Sequence, residues 1–484
     1  MDRLLVLLIA ISLVLFLFQW SASGSWKMLF KLLPWIVILS DLPRKYLAVS
    51  GVQFLYLTKD IAVVAIYVGI LSSSSALTSL KTLTRQVYFR RLWAAFLLLL
   101  GPYIITSLLS RQDIILSLIS IRNYLFYMPL AFVVPLVFPL DDGGHQFFRY
   151  LRGLLVSVVP MFALSMVQFL LPTDHWLNQT YESDAILNYF TTARATGTFS
   201  YITGLSTYCI FMFPLALIFF FFRPSWKAML VLILVFITST ATLSRLPVYL
   251  NIAVFLASAI FYSLKYSSKF GRVFVKFLIS AVVLLIVLVF GFGDTLFSSS
   301  FTLLDRIQSN YDASQRLYYT YYAQIVDFTS KVDFFWGYGP GFLSNFTNSI
   351  AKVLSLSTAS LDFVYGFSDA SRIEAEPGKI LLEAGILFFW LWYGVRVYLC
   401  VYGIACKFYS GNSFLEIFCR VQAFSALLNT LFWPLVNNHF NLYFFWFQVG
   451  SIGFCVLADR ISSNQRKVIL CQQPPSDCLP AVKA

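Results

Sequence analysis

The chain has 484 residues, 59% of them apolar and 12% charged. Soluble domains carry about 25% charged residues, so this composition excludes a soluble globular protein and indicates one that crosses a lipid bilayer many times. The formal net charge of +13 is not a nucleic-acid signature, because the basic residues gather in short loops between apolar runs, as in the cytoplasmic loops of membrane proteins.

The apolar runs fall at roughly 4–20, 46–71, 92–109, 114–138, 150–171, 201–222, 227–243, 246–264, 273–292, 379–404, 414–434 and 440–457. Most approach the length needed to cross about 30 Å of hydrocarbon, and they predict an all-α polytopic membrane protein with about 12 transmembrane helices, within a range of about 11 to 13. The first run is read as a retained helix: it lacks a small-residue cleavage site, and Trp20, Lys27 and Lys31 follow it. The short run 28–40 contains Pro34 and is read as re-entrant or interfacial.

Orientation follows from charge. Lys81, Arg85, Arg90 and Arg91 share one loop without an acid, Lys265, Lys269, Arg272 and Lys276 share another, and the tail carries Arg460, Arg466 and Lys467. Counting spans puts all three on one side, which is therefore the cytoplasmic one. The expected topology is a multi-pass membrane protein with a cytoplasmic C-terminus. The chain then divides into a first membrane part, 1–293, with a short outward segment at 172–200; a large outward loop, 294–377; a second membrane part, 378–458; and a disordered tail, 459–484.

The outward loop has 84 residues, with nine Asp/Glu against five Lys/Arg, and is too long for an ordinary connection. Its aromatic content argues for order. The stretch "QRLYYTYYAQIVDFTSKVDFFWGYGPGF" predicts a helix from about Ser314 to Phe328 and a Gly/Pro turn at 337–341. Neither outward segment contains any of the seven cysteines. No CxxC pair or His/Cys cluster with metal spacing occurs, so neither a metal nor another cofactor is expected.

Charges at the membrane edge are costly and tend to face protein or water. Arg122 in "SIRNYLFYMPL", Arg194 in "RATGTFSYITGLSTY", Arg245 in "TLSRLPVY" and Arg316 in the large loop all come to the outward side. Snorkelling anchors would favour the cytoplasmic side, and four arginines without a lysine suit bidentate capture of phosphate. Gly197 permits close approach of backbone or ligand. In "SRIEAEPGKILLEAGILFF", Glu374 and Glu376 precede a span and Glu383 lies inside it. Any of these carboxylates could serve as general base on a hydroxyl, although Glu374 or Glu376 could equally favour a helix N-terminus electrostatically. His439, at the outward start of the last span, is an alternative base or a structural cap.

Four pieces in this order, "IRNYLFYMPL", "RATGTFSYITGLSTY", "TLSR" and "QRLYYTYYAQIVDF…WGYGPG" ahead of "E…LLEAGIL", give the chain its kinship. Over roughly residues 55–455 it resembles the O-antigen ligase and O-antigen polymerase superfamily of bacterial envelope glycosyltransferases. The resemblance implies a metal-independent membrane glycosyltransferase of the helical C type. Such an enzyme takes a glycan from an undecaprenyl-diphosphate carrier and adds it, with inversion, to an acceptor sugar hydroxyl at the periplasmic face. Arginines matching Arg194, Arg245 and Arg316 would hold the diphosphate. The ligases' histidine position is occupied by Glu374, counted back from Gly385, which favours a polymerase over a ligase and makes Glu374 the first candidate for the base, with Glu376 behind it. A chain-length regulator or a flippase is an expected partner, and a transporter or flippase is the rival function.

Overall fold

The computed structural model describes residues 14–46, 57–109, 113–178, 193–266, 335–341, 343, 376–436 and 438–472. Arg316, Glu374, the apolar run 273–292 and the expected loop helix at Ser314–Phe328 lie outside them. All regular structure among the described residues is helical.

Chain order gives α1 (Val14–Leu39), α2 (Leu42–Tyr46), α3 (Thr58–Ser72), α4 (Ser74–Arg85), α5 (Val87–Leu109), α6 (Ile114–Ile119), α7 (Leu130–Val137) and α8 (His145–Leu170). Then come α9 (Ile202–Phe222), α10 (Trp226–Ala241), α11 (Arg245–Lys265), α12 (Glu376–Ala405), α13 (Ser413–Phe432) and α14 (His439–Gln472). Short polar residues set several starts. Ser73, Asp113, Ser225 and Asn412 accept backbone N–H bonds in the first turns of α4, α6, α10 and α13, satisfying donors the helix cannot.

Among the described residues eight helices are long and apolar enough to cross a membrane, nine if the pair α3–α4, bent by 93°, counts as one span. The protein is thus a multi-pass membrane protein, and burial sorts its helices. The apolar windows of α9 and α14 are 89% and 100% buried, against 33% for α5. The first two therefore form the centre, where α14 packs on α7, α12 and α13 and α9 packs on α10, α11 and α13. On α5 the residues Leu97, Leu98, Ile104, Ile105 and Leu108 face outward. An apolar outer face of that kind belongs against lipid.

Three expectations change. The run 114–138 is not one helix: it breaks into α6, a 3-10 turn at Ser120–Asn123, irregular turns and α7. The break falls where Arg122, Tyr124 and Tyr127 turn inward to carboxylates, and Pro129 cannot donate to the helix ladder. The Pro34 segment is not a separate short piece: it follows the first apolar run in the candidate span Val14–Leu39, beyond a break at Gly24, with Leu29, Phe30, Leu33 and Val37 fully buried. The tail is helical as far as Gln472, continuing α14, and its first residue, buried Asp459, ties the helix to the preceding turn by accepting the N–H groups of Tyr409 and Ser410.

The helix ends gather into two groups. One holds 38–46, 57–60, 120–127, 193–200, 241–245, 335–341, 343, 376–385, 433–436 and 438–440, joined by the contacts described below. The other holds the turn at 405–412, the ends of α11 and α14 and the start of α13, joined by the Lys265–Glu416 ion pair and by Asp459.

Candidate functional site

Arg194 does not begin a helix. It stands in an irregular loop, 193–200, before α9. The Ala195 N–H donates to the Ala241 carbonyl at 3.1 Å, and Arg194 Nε donates to the Thr242 carbonyl at 3.1 Å. These bonds lay the loop against the turn that leads into Arg245, so two stretches of chain that each carry a predicted arginine are joined although 50 residues of sequence lie between Arg194 and Arg245. The turn is tight: Leu243 has φ 50°, a left-handed conformation that costs a non-glycine residue on the order of 1 kcal/mol. Arg245 is half-buried at the first position of α11. A helix N-terminus carries partial positive charge, so a guanidinium there is unfavourable until an anion joins it. Helix terminus and arginine are both groups whose chemistry suits an anion.

The loop is held from beneath. Buried Gln168 of α8 accepts from the Thr196 and Gly197 N–H groups at 3.1 and 2.8 Å and donates back to the Gly197 carbonyl at 3.1 Å. Lys45 of α2 donates to Thr196 Oγ1 at 2.5 Å and to the Gly197 carbonyl at 2.9 Å. Burial pushes the Lys45 ammonium down to about 7, with the Asp41 carboxylate opposing the shift. Thr198 Oγ1 donates to the Ile38 carbonyl, and the Ser200 N–H donates to Asp41 Oδ2. Gly197 has φ 59°, and a Cβ there would lie 2.5 Å from Met161 Sδ. It is needed for backbone conformation and close packing, one of the two uses that its lack of a side chain allows.

Arg122 takes a different role from the one expected. Its guanidinium pairs with Asp60 at 2.7 Å, both side chains buried, and Asp60 also accepts from the Tyr127 hydroxyl. A guanidinium engaged in this way is spoken for by α3. Lys59 lies 5.0 Å over the Phe440 ring, and the Phe440 ring is 5.0 Å from Phe199 of the arginine loop. His439, buried at the start of α14, sits with its ring 6.4 Å from Tyr127. The candidate histidine is therefore part of this cluster, beside the arginine loop.

Two of the predicted carboxylates are occupied. Glu376 is buried and accepts from Arg396 Nη1 at 2.7 Å, Trp392 Nε1 at 2.9 Å and the Leu435 N–H at 3.1 Å. With both oxygens engaged and a guanidinium beside them it is a structural anchor, which counts against it as the base. Glu383 is fully buried and accepts from the Tyr124 hydroxyl and from the Gly341 and Leu343 N–H groups, each of the latter at 2.9 Å.

Sequence reasoning passed over Lys45, Lys59, Asp60, Gln168 and Arg396. Three of these had a visible signal: Lys59 and Asp60 lie inside the apolar run 46–71, and Arg396 inside 379–404. Among the described residues no three His, Cys, Asp or Glu side chains come together as a metal-ligand set. No family model matches the chain, and no curated protein is similar enough to it to count as a relative.

Proposed function

We propose that the protein is an inner-membrane polysaccharide polymerase, which transfers a glycan from an undecaprenyl-diphosphate carrier to an acceptor sugar hydroxyl at the periplasmic face. The observation that carries this is the hydrogen bond from Arg194 to the Thr242 carbonyl, in the turn that leads into Arg245 at the first position of α11: arginines on joined loops and a helix terminus suit a diphosphate. The strongly basic stretch that includes Lys81, Arg85, Arg90 and Arg91 supports a cytoplasmic assignment for the opposite side.

In this reading the acceptor oxygen attacks the anomeric carbon of the donor from the side opposite the diphosphate. The new glycosidic C–O bond forms as the bond to the diphosphate breaks, and configuration inverts. The hydroxyl proton passes to Glu374. The departing lipid diphosphate takes the bonding pair, and the arginines stabilise its growing charge. Glu374 is preferred because Glu376 and Glu383 are held by other groups.

The experiment is to mix the purified protein with a lipid-diphosphate-linked oligosaccharide. Longer glycans and free undecaprenyl diphosphate should appear together. Transfer only to an added lipid or protein acceptor would make the protein a ligase. Growth only in the presence of a second protein would assign part of the activity to a regulator. Movement of intact donor across a vesicle membrane without any new bond would make it a transporter, the reading that the buried Arg122–Asp60 and Arg396–Glu376 pairs favour.

A further inference from the structure

The motif "WGYGPGF" and the motif "LLEAG" lie some 40 residues apart in the chain and are built into each other in the structure. Gly385 has φ 74° and ψ 179°, which interrupts the hydrogen-bond ladder of α12. The carbonyls of Leu382 and Glu383 thereby lose their partners one turn on. Both are satisfied from outside: the Tyr338 N–H donates to Leu382 at 2.7 Å and the Gly339 N–H to Glu383 at 3.0 Å. The Glu383 side chain completes the joint by accepting the Gly341 and Leu343 N–H groups. Successive backbone N–H groups turned onto one carboxylate form an anion-holding concavity. Tyr124, from the break between α6 and α7, donates to the same carboxylate.

The fit leaves no room on either side. A Cβ at Gly385 would stand 2.1 Å from the Phe335 carbonyl oxygen, and a Cβ at Gly337, where φ is 69°, would stand 2.7 Å from the Leu382 carbonyl oxygen. Both glycines are required for contact between the two backbones as well as for their own conformation. Glu383 in turn depends on this partner, because a carboxylate buried without donors is strongly unfavourable.

We infer that residues 335–341 and 343 are a strap seated in the break of α12, and that Glu383 is the positioning residue that fastens this strap to the membrane body. Arg316 precedes the strap in the chain and Glu374 follows it.

Limited proteolysis of the purified full-length protein tests this. Glu383→Gln presents an amide N–H to one of the strap's N–H groups, and should speed cleavage at the strap, 335–343, by about tenfold or more, with the midpoint of thermal unfolding of the helical body little changed. Gly337→Ala attacks the joint from the strap side and should do the same, and the double variant should add little to either. Wild-type cleavage rates in both single variants would overturn the inference. Should Glu383→Gln fail to insert in the membrane, Gly337→Ala decides alone: faster cleavage supports the strap, an unchanged rate overturns it. Cleavage is read without any transfer reaction, so absence of glycan growth in the wild-type protein would sink the polymerase reading and leave the strap to stand or fall on its own.

Discussion

Arg245→Lys is expected to lower glycan transfer about a hundredfold, with the protein still inserted in the membrane at wild-type level. The substitution keeps the positive charge and removes the planar fork. A loss of that size corresponds to about 3 kcal/mol at the barrier, the usual effect of deleting one donor aimed at developing charge. It would also separate a diphosphate clamp from a general electrostatic attraction, which lysine would preserve. Arg194→Lys should lose as much or more, because Arg194 Nε also holds the Thr242 carbonyl and with it the turn that leads into Arg245. Arg122→Lys is the contrast. Its partner is Asp60, which a lysine can still meet, so its main effect should be on stability. Normal long-chain product from the Arg194 and Arg245 variants would sink the clamp.

The second large effect concerns folding. Removing Arg396 should destabilise the protein by about 3–5 kcal/mol, as breaking a buried ion pair does when one charge is left behind. Arg396 is fully buried, donates to Glu376 and to the Thr430 carbonyl, and lies 5.1–5.4 Å from the Tyr393, Phe445 and Trp392 ring centres. Arg396→Met should therefore lower the unfolding midpoint in detergent sharply, and Glu376→Gln should do so as well. The double variant Glu376→Gln/Arg396→Met should recover part of the loss, because it leaves no charge unpaired. An unchanged midpoint in Arg396→Met would refute the anchor. The pair also separates the two neighbouring glutamates. Loss of activity in Glu376→Gln should track unfolding, whereas Glu374→Gln should lose transfer with the midpoint unchanged.

Much of this was legible in the sequence, for identifiable reasons. The long runs 201–222 and 440–457 became the two central helices: neither holds a charge, and their few polar side chains bond to neighbours, Thr207 to Trp433, Asn441 to Asn429 and Gln448 to Ser425. The Gly/Pro turn at 337–341 came from residue chemistry alone. The break near residue 123 did not, because apolar length outweighs single polar residues in a hydropathy reading. What breaks that run is the pull of Asp60 and Glu383 on Arg122, Tyr124 and Tyr127, and those partners come from distant parts of the chain. The same holds for Glu376. A carboxylate before a span reads as a cap or a base, and only the fold shows that Arg396, 20 residues on, lies against it. Arg194 and Arg245 were legible as a pair by side of the membrane, and the hydrogen bonds that join their loops were not.

The central claim is that Arg194 and Arg245 form a seat for a lipid diphosphate, and ligand-dependent stabilisation measures it most directly. Undecaprenyl diphosphate added to the purified protein in detergent should raise the midpoint of thermal unfolding, with about 2.7 kcal/mol of stabilisation at a hundred times its dissociation constant. Undecaprenol, with the same tail and no charge, should not, and Arg245→Lys should abolish most of the shift. Equal shifts from the diphosphate and the alcohol, or an undiminished shift in Arg245→Lys, would contradict the account.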